Sequence, residues 1–250
     1  MKALVISDIH SNYEALLAVA HAEEADTVWC LGDLVNYGPQ PAEVVQWVRH
    51  HVQFSVRGNH DHAMATGVDC GCNDVFRELY ECSQEMNRCL MTADQLGYLR
   101  ELPLIETIRV EGALVRLAHA GPHGYLYRSD LTPDIGDAAL QRALRDIAAD
   151  LIFCGHTHLP MVRRLSGKIF VNPGSVGMPL DGNPLASYAV WQDGKVRISR
   201  ARYDVEKVAN QLLRTTLPPR SAERLAEIIR TGRVDGPSDL QVATNRKVAP

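Results

Sequence analysis

The chain reads Val56-Arg57-Gly58-Asn59-His60-Asp61 at the end of a short apolar segment, and this stretch decides how the rest of the sequence is interpreted. Gly-Asn is a common turn dipeptide, so the stretch predicts a strand that stops in a sharp turn. The turn would project an amide, an imidazole and a carboxylate from adjacent positions. Taken alone, the same pattern is typical of an ordinary polar turn, and only the rest of the chain gives it a functional meaning.

Four other polar clusters occupy the same kind of position, directly after an apolar run that predicts a strand. Each cluster contains residue types that bind metal ions. Because loops beyond the carboxyl ends of parallel strands gather at one edge of a sheet, we expect these clusters to lie together. They are Asp8-Ile9-His10, Gly32-Asp33, His119 and Gly155-His156-Thr157-His158.

Composition and charge exclude several classes of protein. The 250 residues are 46% hydrophobic and 22% charged, which is typical of a globular protein with a substantial core. A net charge of −4 without a local Lys/Arg-rich stretch argues against a nucleic-acid partner. No apolar run approaches membrane-spanning length, and the first residues predict a strand rather than a signal peptide. We therefore expect a cytoplasmic protein; no oligomeric state is predicted.

The six cysteines predict no disulfide framework. Cys30 and Cys154 lie within apolar strand segments and are expected to be buried thiols. The other four lack the paired Cys-x-x-Cys spacing of structural zinc sites, so free reduced thiols are the expectation in a cytosolic chain. This second group, to which the sequence assigns no role, consists of Cys70, Cys72, Cys82 and Cys89.

The order of predicted elements indicates an α/β fold. Up to residue 56 the pattern is strand, helix, strand, helix, strand, which is typical of a parallel sheet with right-handed crossovers. The first helix is expected to open on a capping box at Ser11. Residues 62–100 predict a helical insertion after the third strand. The second half predicts hairpins around Ser166-Gly167 and Asp193-Gly194.

These elements predict a four-layer α-β-β-α sandwich of two mixed sheets flanked by helices. The first half would supply one sheet, and the hairpins of the second half would supply its partner. Residues 1–231 are expected to form a single domain, with 62–100 as its helical cap. The remaining residues, 232–250, lack periodicity and predict a mobile tail.

Seven candidate ligands in these clusters comprise two carboxylates, one amide oxygen and four imidazoles. That is too many ligands for one tetrahedral zinc ion and suits two ions that share a bridging carboxylate. Mixed oxygen and nitrogen ligands without thiolate favour manganese, iron, cobalt, nickel or zinc. The predicted ligands are Asp8, His10, Asp33, Asn59, His119, His156 and His158.

The five blocks, in this order and with the first three about 25 residues apart, resemble the calcineurin-like metallophosphoesterase superfamily. The run Asn172-Pro173-Gly174-Ser175-Val176-Gly177 is similar to a turn in its small bacterial phosphodiesterase-like branch. The resemblance implies a dinuclear phosphoesterase that hydrolyses a small phosphodiester or phosphomonoester by in-line attack of a metal-bridging hydroxide. It assigns Asp8, His10, Asp33 and His158 to one metal, and Asp33, Asn59, His119 and His156 to the other.

The resemblance also implies roles for residues around the metals. His60 would protonate the leaving oxygen or stabilise the phosphoryl charge, and Asp61 would orient its ring. The family often has Gly-Asp-x-x-Asp in its second block, where this chain has Asn36; we expect Asn36 to make a supporting hydrogen bond instead of binding metal. Arg57 and His123 are candidate substrate contacts, with an ion pair and a solvated loop as the respective alternatives.

Three functions remain open from the sequence. The first is the dinuclear phosphoesterase. The second is a diadenosine-tetraphosphatase or protein-phosphatase-like hydrolase, because the block from Gly32 to Pro39 is similar to those enzymes. The third is a catalytically silent binding protein on the same scaffold, which the retention of every predicted ligand disfavours.

Overall fold

The computed structural model of the chain describes residues 1–234, in which ten strands and eight helices alternate as an α/β fold. Their order places strands and helices in alternation up to residue 55, then three helices, then mostly strands. The elements are β1 (Lys2–Ile6), α1 (Tyr13–Ala22), β2 (Thr27–Cys30), α2 (Pro41–His51), β3 (Phe54–Ser55), α3 (Asn59–Thr66), α4 (Asp74–Leu90), α5 (Ala93–Glu101), β4 (Ile105–Val110), β5 (Ala113–Ala118), α6 (Asp137–Ala143), β6 (Leu151–Phe153), β7 (Met161–Leu165), β8 (Lys168–Asn172), β9 (Ala186–Gln192), β10 (Lys195–Ala201), α7 (Val205–Leu212) and α8 (Pro219–Thr231).

The first sheet has the order β10-β9-β1-β2-β3. Strands β1, β2 and β3 are parallel, as predicted, whereas β9 runs antiparallel to β1 and to β10. The β9–β10 hairpin therefore joins the sheet of the first half, and its predicted place in the second sheet was wrong. The reason is burial: six of the seven residues of β9 are buried, so this strand needs cover on both faces.

The second sheet has the order β4-β5-β6-β8-β7 and is also mixed. An apolar layer between the sheets contains Trp29, Phe153 and Trp191, with ring centroids 5.9 and 6.1 Å from that of Trp29. Helices α1, α2 and α5 cover the outer face of the first sheet, and α6 covers that of the second. The four-layer α-β-β-α architecture is thus confirmed.

Two helix starts differ from the prediction. Helix α1 is capped by Asn12, whose side chain accepts a hydrogen bond from the N–H of Ala15 at 3.1 Å. The Ser11 hydroxyl donates instead to Asn87, so the predicted capping box at Ser11 was wrong. Helix α3 begins at Asn59 with Gly58 as its N-cap. The predicted sharp turn is therefore the first turn of a helix.

The end of the described chain packs against the domain. Gly232 terminates α8 with φ of 63°, and its carbonyl accepts a hydrogen bond from the N–H of Gly182 at 2.8 Å. Val234 is buried. Residues 235–250, most of the segment predicted to be a mobile tail, lie outside the described residues. Across residues 1–234, no helix combines the length and apolar composition needed to cross a bilayer.

Candidate metal centre

The loops that follow β1, β2, β5 and β6, together with the start of α3, meet at one edge of the two sheets. They bring all seven predicted ligand residues together there. Ligand atoms of Asp8, His10 and His158 lie within 4.8 Å of one another, and those of Asp33, His119 and His156 form a second such group. The convergence of strand ends thus brings the candidate ligand residues together, as expected from their positions in the sequence.

The first group is arranged around two facing imidazoles. The Nε2 atoms of His10 and His158 are 3.1 Å apart, and Nε2 of His158 lies 3.4 Å from Oδ1 of Asp8. The backbone N–H of His156 donates to both oxygens of Asp8, at 3.1 and 3.0 Å. The carboxylate is thereby held in a fixed orientation toward the two rings.

In the second group, the two imidazoles face the amide of Asn59. Its Oδ1 lies 2.9 Å from Nε2 of His119 and 3.0 Å from Nδ1 of His156. Its Nδ2 donates to the carbonyl of Cys70 at 2.9 Å, so the oxygen faces the cluster. Oδ2 of Asp33 lies 3.1 Å from Nε2 of His119 and 3.9 Å from that of His10. Asp33 therefore stands between the two groups.

Three of the imidazoles are oriented by backbone carbonyls. A carbonyl oxygen only accepts hydrogen bonds, so the Nδ1 atom facing it carries a proton and Nε2 is the atom available to a metal ion. Supporting hydrogen bonds of this kind are typical of metal-binding histidines. The donor set and its orientation fit divalent cations. The pairs are His10 with Val35 at 3.0 Å, His119 with Leu31 at 2.7 Å and His158 with Met178 at 2.6 Å.

The charged groups of the cluster perturb one another strongly. Burial would raise the pKa of the Asp8 carboxyl, but the adjacent His158 lowers it to about 2. Burial would lower the pKa of His119, yet Asp33 raises it to about 9. Burial, together with the neighbouring His158, lowers the pKa of His10 to about 4. Protons on His119 and His158 thus supply positive charge to two buried carboxylates, a role that cations would take over.

The backbone at the ligands is in a costly conformation. Positive φ angles occur at Asp8 (53°), His10 (47°), Asp33 (55°), His156 (69°) and His158 (59°). Residues with a Cβ rarely adopt this region, and such strain concentrates at functional sites, where the surrounding structure maintains it. Five of the seven predicted ligands are held this way.

Two glycines of the motifs allow the loops to approach closely. A Cβ on Gly155 would lie 1.9 Å from Oγ of Ser7 and 2.5 Å from Oδ2 of Asp8. A Cβ on Gly58 would lie 2.0 Å from Oδ1 of Asp33. All three are distances that real Cβ atoms do not reach, so the carboxylates of Asp8 and Asp33 need these positions to be glycine.

His60 is buried at the centre and is positioned by Asn36. The amide Nδ2 of Asn36 lies 2.9 Å from Nδ1 of His60, which confirms the expectation of a supporting hydrogen bond from Asn36. Burial lowers the pKa of His60 to about 3. A neutral ring whose Nδ1 accepts from the amide carries its proton on Nε2.

Asp61 makes contacts other than the predicted one. Its carboxylate accepts hydrogen bonds from the backbone N–H groups of Asp33 (2.8 Å), Leu34 (2.8 Å) and Gly58 (3.0 Å). Burial, and then the charge of Asp33, raise the pKa of Asp61 to about 7. Asp61 therefore joins the Asp33 loop to the start of α3, and the ring of His60 is oriented by Asn36 instead.

The two predicted substrate contacts lie away from the centre. Nη1 of Arg57 donates to the carbonyl of Arg100 at 2.9 Å. His123 is exposed, and its ring centroid lies 6.1 Å from that of Tyr125. Neither residue lines the pocket above the ligands. Both residues were chosen because they lie next to a motif in the sequence, but their side chains do not point into the pocket.

Asn87 is a supporting residue that the sequence analysis missed. It is fully buried on α4, and its Oδ1 accepts from the Ser11 hydroxyl (2.6 Å) and the Asn36 N–H (2.8 Å). Its Nδ2 donates to the carbonyl of Gly38 at 3.0 Å. The helical spacing of Leu79, Ser83, Met86 and Asn87, all buried on one face of α4, was the available signal.

A disulfide joins Cys70 and Cys72 beside His60. The expectation of free thiols was therefore wrong for these two residues, while Cys30, Cys82, Cys89 and Cys154 are free. The turn at Gly71 (φ of 71°) brings the two sulfurs together, with Cα atoms 5.4 Å apart. Sγ of Cys72 lies 3.8 Å from Nε2 of His60, so the disulfide forms part of the wall around that ring.

A pocket of about 370 Å³ opens above the ligands. Asp33, Asn59, His60, His156 and His158 form its floor. This volume lies within the range of small-molecule sites. The candidate centre is therefore accessible to a small ligand through this pocket.

Comparisons with known proteins agree with this geometry. Residues 1–193 match the family profile described as the calcineurin-like phosphoesterase superfamily domain. A crystal structure of a metallophosphoesterase from Sphaerobacter thermophilus superposes with a TM-score of 0.78 at 29% sequence identity, covering 93% of this chain and 99% of that one. These matches define the class as metallophosphoesterases, which are hydrolases of phosphoric esters.

The chain therefore belongs to the calcineurin-like phosphoesterase superfamily. It is 34% identical over 241 residues to the uncharacterized protein MJ0912 of Methanocaldococcus jannaschii, covering 88% of this chain and 96% of that protein. It is also 33% identical over 163 residues to a symmetrical bis(5'-nucleosyl)-tetraphosphatase of Klebsiella pneumoniae. That match covers 60% of this chain and spans about half, 51%, of the tetraphosphatase. Membership implies divalent metal ions, for which the His/Asp groups are the candidate ligands.

Proposed function

We propose that this protein is a dinuclear metal-dependent phosphoesterase that hydrolyses a small phosphodiester or phosphomonoester. The observation that supports the proposal most directly is the convergence of two ligand groups on the shared carboxylate of Asp33. One ion would be held by Asp8, His10, Asp33 and His158, and the other by Asp33, Asn59, His119 and His156. Manganese, iron, cobalt, nickel and zinc suit these donors.

When bound, two such ions supply a nucleophile at neutral pH and neutralise the charge of the phosphoryl group. The protein provides the positioning. Backbone carbonyls orient three imidazoles, Cys70 orients the Asn59 amide, and Asp61 holds the Asp33 loop against α3. These supports fix the ligands before the substrate arrives, which lowers the cost of reorganisation during the reaction.

His60 would act on the phosphoryl group or on the leaving oxygen. Its ring lines the pocket, and the Asn36 amide leaves the proton on Nε2. From that position Nε2–H can donate a hydrogen bond to a phosphoryl oxygen or to the departing oxygen. Asn36 is a positioning residue in this scheme, because it acts only through the ring.

The test combines metal content with turnover. After chelation and reconstitution with each of the five metals, we expect two ions per chain by elemental analysis and hydrolysis of bis-p-nitrophenyl phosphate or p-nitrophenyl phosphate. Replacement of His119 (His119→Ala) should lower the bound metal, whereas replacement of the surface residue His21 (His21→Ala) should not. A single ion per chain at saturation contradicts the dinuclear proposal, and turnover of neither substrate with any metal supports a binding protein.

His60→Ala tests the catalytic role separately. The variant should keep its metal and lose about 10²–10⁴-fold in kcat, the usual contribution of a positioned proton donor. Retention of full activity with full metal content would show that His60 has no such role.

Hydrolysis of dinucleoside polyphosphates is the second candidate. Its support is the 33% identity to the Klebsiella pneumoniae tetraphosphatase over 60% of this chain. Diadenosine tetraphosphate therefore belongs in the same assay, at the same metal concentration.

A further inference from the structure

The walls of the pocket above the ligands are mainly apolar and aromatic. Tyr37 and Phe76 lie side by side, with ring centroids 6.0 Å apart and planes inclined by 55°. Met178 and Leu180 line the pocket as well. Such a wall suits an uncharged ring or a hydrocarbon group, which gains free energy by leaving water.

Tyr127 adds a partly exposed aromatic ring at the entrance. It is 44% exposed, yet its Cδ1 lies only 2.5 Å from the position that a Cβ on Gly71 would occupy. The ring therefore packs directly on the Gly71 backbone between the two disulfide cysteines. Its position is fixed by this contact, so it offers a preformed surface to an organic group.

The charged side chains that line the pocket are acidic. Across residues 1–234, the side chains that line it include the carboxylates of Asp33 and Asp134 but no lysine or arginine. Asp134 is exposed at the rim, and a hydrogen bond from the Thr132 hydroxyl lowers its pKa, so it is charged at neutral pH. Beyond the metal ligands, the pocket thus offers a phosphate group no cationic partner.

The arginines that neighbour the lining residues in sequence are engaged elsewhere. Arg77 pairs with Asp69 at 2.8 Å, and Arg128 pairs with Asp130 at 2.6 Å. Two N–H groups in the first turn of α4 are also paired, because those of Val75 and Phe76 donate to Oδ1 of the N-cap residue Asn73. These donors are therefore already paired within the protein.

We propose, on the basis of the function proposed above, that the substrate carries a single phosphoryl group esterified to an uncharged aromatic or apolar group. The phosphoryl group would meet the metal ligands, and the organic group would lie against Tyr37, Phe76 and Tyr127. The further phosphates of a polyphosphate chain would lie against an apolar wall or near Asp134. Phosphates are costly to desolvate without cationic partners, so diadenosine tetraphosphate and ATP are poor substrates.

A kinetic panel on the metal-loaded protein tests this substrate class. We expect kcat/KM for bis-p-nitrophenyl phosphate or p-nitrophenyl phosphate to exceed that for diadenosine tetraphosphate and ATP at least tenfold. Equal or better hydrolysis of the polyphosphates overturns the inference while it leaves the phosphoesterase proposal intact. Turnover of none of these substrates contradicts the proposed function itself, so the two failures are distinguishable.

A charge reversal gives an independent measurement. Asp134→Lys should raise kcat/KM for diadenosine tetraphosphate about threefold or more at low salt, and by a larger factor than it changes kcat/KM for p-nitrophenyl phosphate. Glu101→Lys is the matched control, because Glu101 is an exposed residue at the end of α5 outside the pocket. Equal effects of the two variants on diadenosine tetraphosphate contradict the proposed charge selection.

The aromatic wall is tested with Phe76→Ala and Phe76→Leu. Both should raise KM for p-nitrophenyl esters several-fold with little change in kcat, and Phe76→Leu, which keeps most of the volume, should have the smaller effect. Thermal unfolding establishes that each variant is folded at the assay temperature. An unchanged KM in both folded variants means that the organic group does not bind at this wall.

Discussion

Replacement of Asn87 by alanine should destabilise the protein and disturb the site from a distance. The side chain makes three buried hydrogen bonds, to the Ser11 hydroxyl, the Asn36 N–H and the Gly38 carbonyl. Removal of the amide leaves each partner unsatisfied, at about 1–1.7 kcal/mol for each hydrogen bond. The sum is about 3–5 kcal/mol, a large part of the about 5–15 kcal/mol that stabilises a typical domain.

The assay is urea unfolding of the metal-free protein, followed by circular dichroism. The free energy of unfolding of Asn87→Ala should fall by about 3–5 kcal/mol, with an unchanged dependence on urea concentration. Gln84→Ala on the same helix is the control, because Gln84 is only half-buried and its hydrogen bond to the Ala63 carbonyl is long, at 3.3 Å. Its loss should cost about 1 kcal/mol.

The same substitution should also affect turnover at temperatures where the variant is folded. Asn36 positions His60, and Asn87 holds the backbone of Asn36, so kcat should fall while the metal content stays near that of the unmodified protein. A loss below 1 kcal/mol with unchanged kcat would refute the reasoning, because it would mean that the loop keeps its conformation without Asn87.

Three further predictions concern backbone, pH and cysteine chemistry. Gly155→Ala should unfold or lose metal, because its methyl would lie 1.9 Å from a serine oxygen; elemental analysis and thermal unfolding measure this. Burial raises the pKa of Cys30 and of Tyr203, each to about 12, so the unfolded chain releases these protons first. The free energy of unfolding should therefore fall as pH rises above about 9, by about 1.4 kcal/mol per pH unit and group, and less steeply in Cys30→Ala. Alkylation of the denatured protein before reduction should leave only Cys70 and Cys72 unmodified, and labelling of all six would contradict the disulfide.

The convergence of the candidate ligands could be predicted because most of them lie just beyond the end of a strand. The carboxyl ends of parallel strands lie at the same edge of a sheet, so Asp8 and Asp33, which follow β1 and β2, could be placed together from local patterns alone. The helices α3, α4 and α5 between β3 and β4 could be expected for a similar reason, since helical periodicity is a local signal. The roles of these residues stay predictions, as do the cytoplasmic location and the absence of a nucleic-acid partner.

The predictions that were wrong concern contacts between parts of the chain that are distant in sequence. The sheet that accepts β9 is decided by apolar packing between segments some 185 residues apart, which no local pattern encodes. Asp61 was predicted to orient the ring of its neighbour His60, but its carboxylate accepts hydrogen bonds from three backbone N–H groups. The direction of the Arg57 side chain is set by a free carbonyl at Arg100, at the end of a later helix.

The pairing of β1 with β9 has a consequence for how the protein is made. On the ribosome the first strand emerges early, but its antiparallel neighbour at residues 186–192 emerges only after three quarters of the chain. One edge of the apolar strand β1 therefore remains unpaired during most of synthesis. Unpaired strand edges form hydrogen bonds with other chains and promote aggregation. Fragments that stop before residue 186 should aggregate, and the full-length chain should depend on protection of this edge until translation is nearly complete.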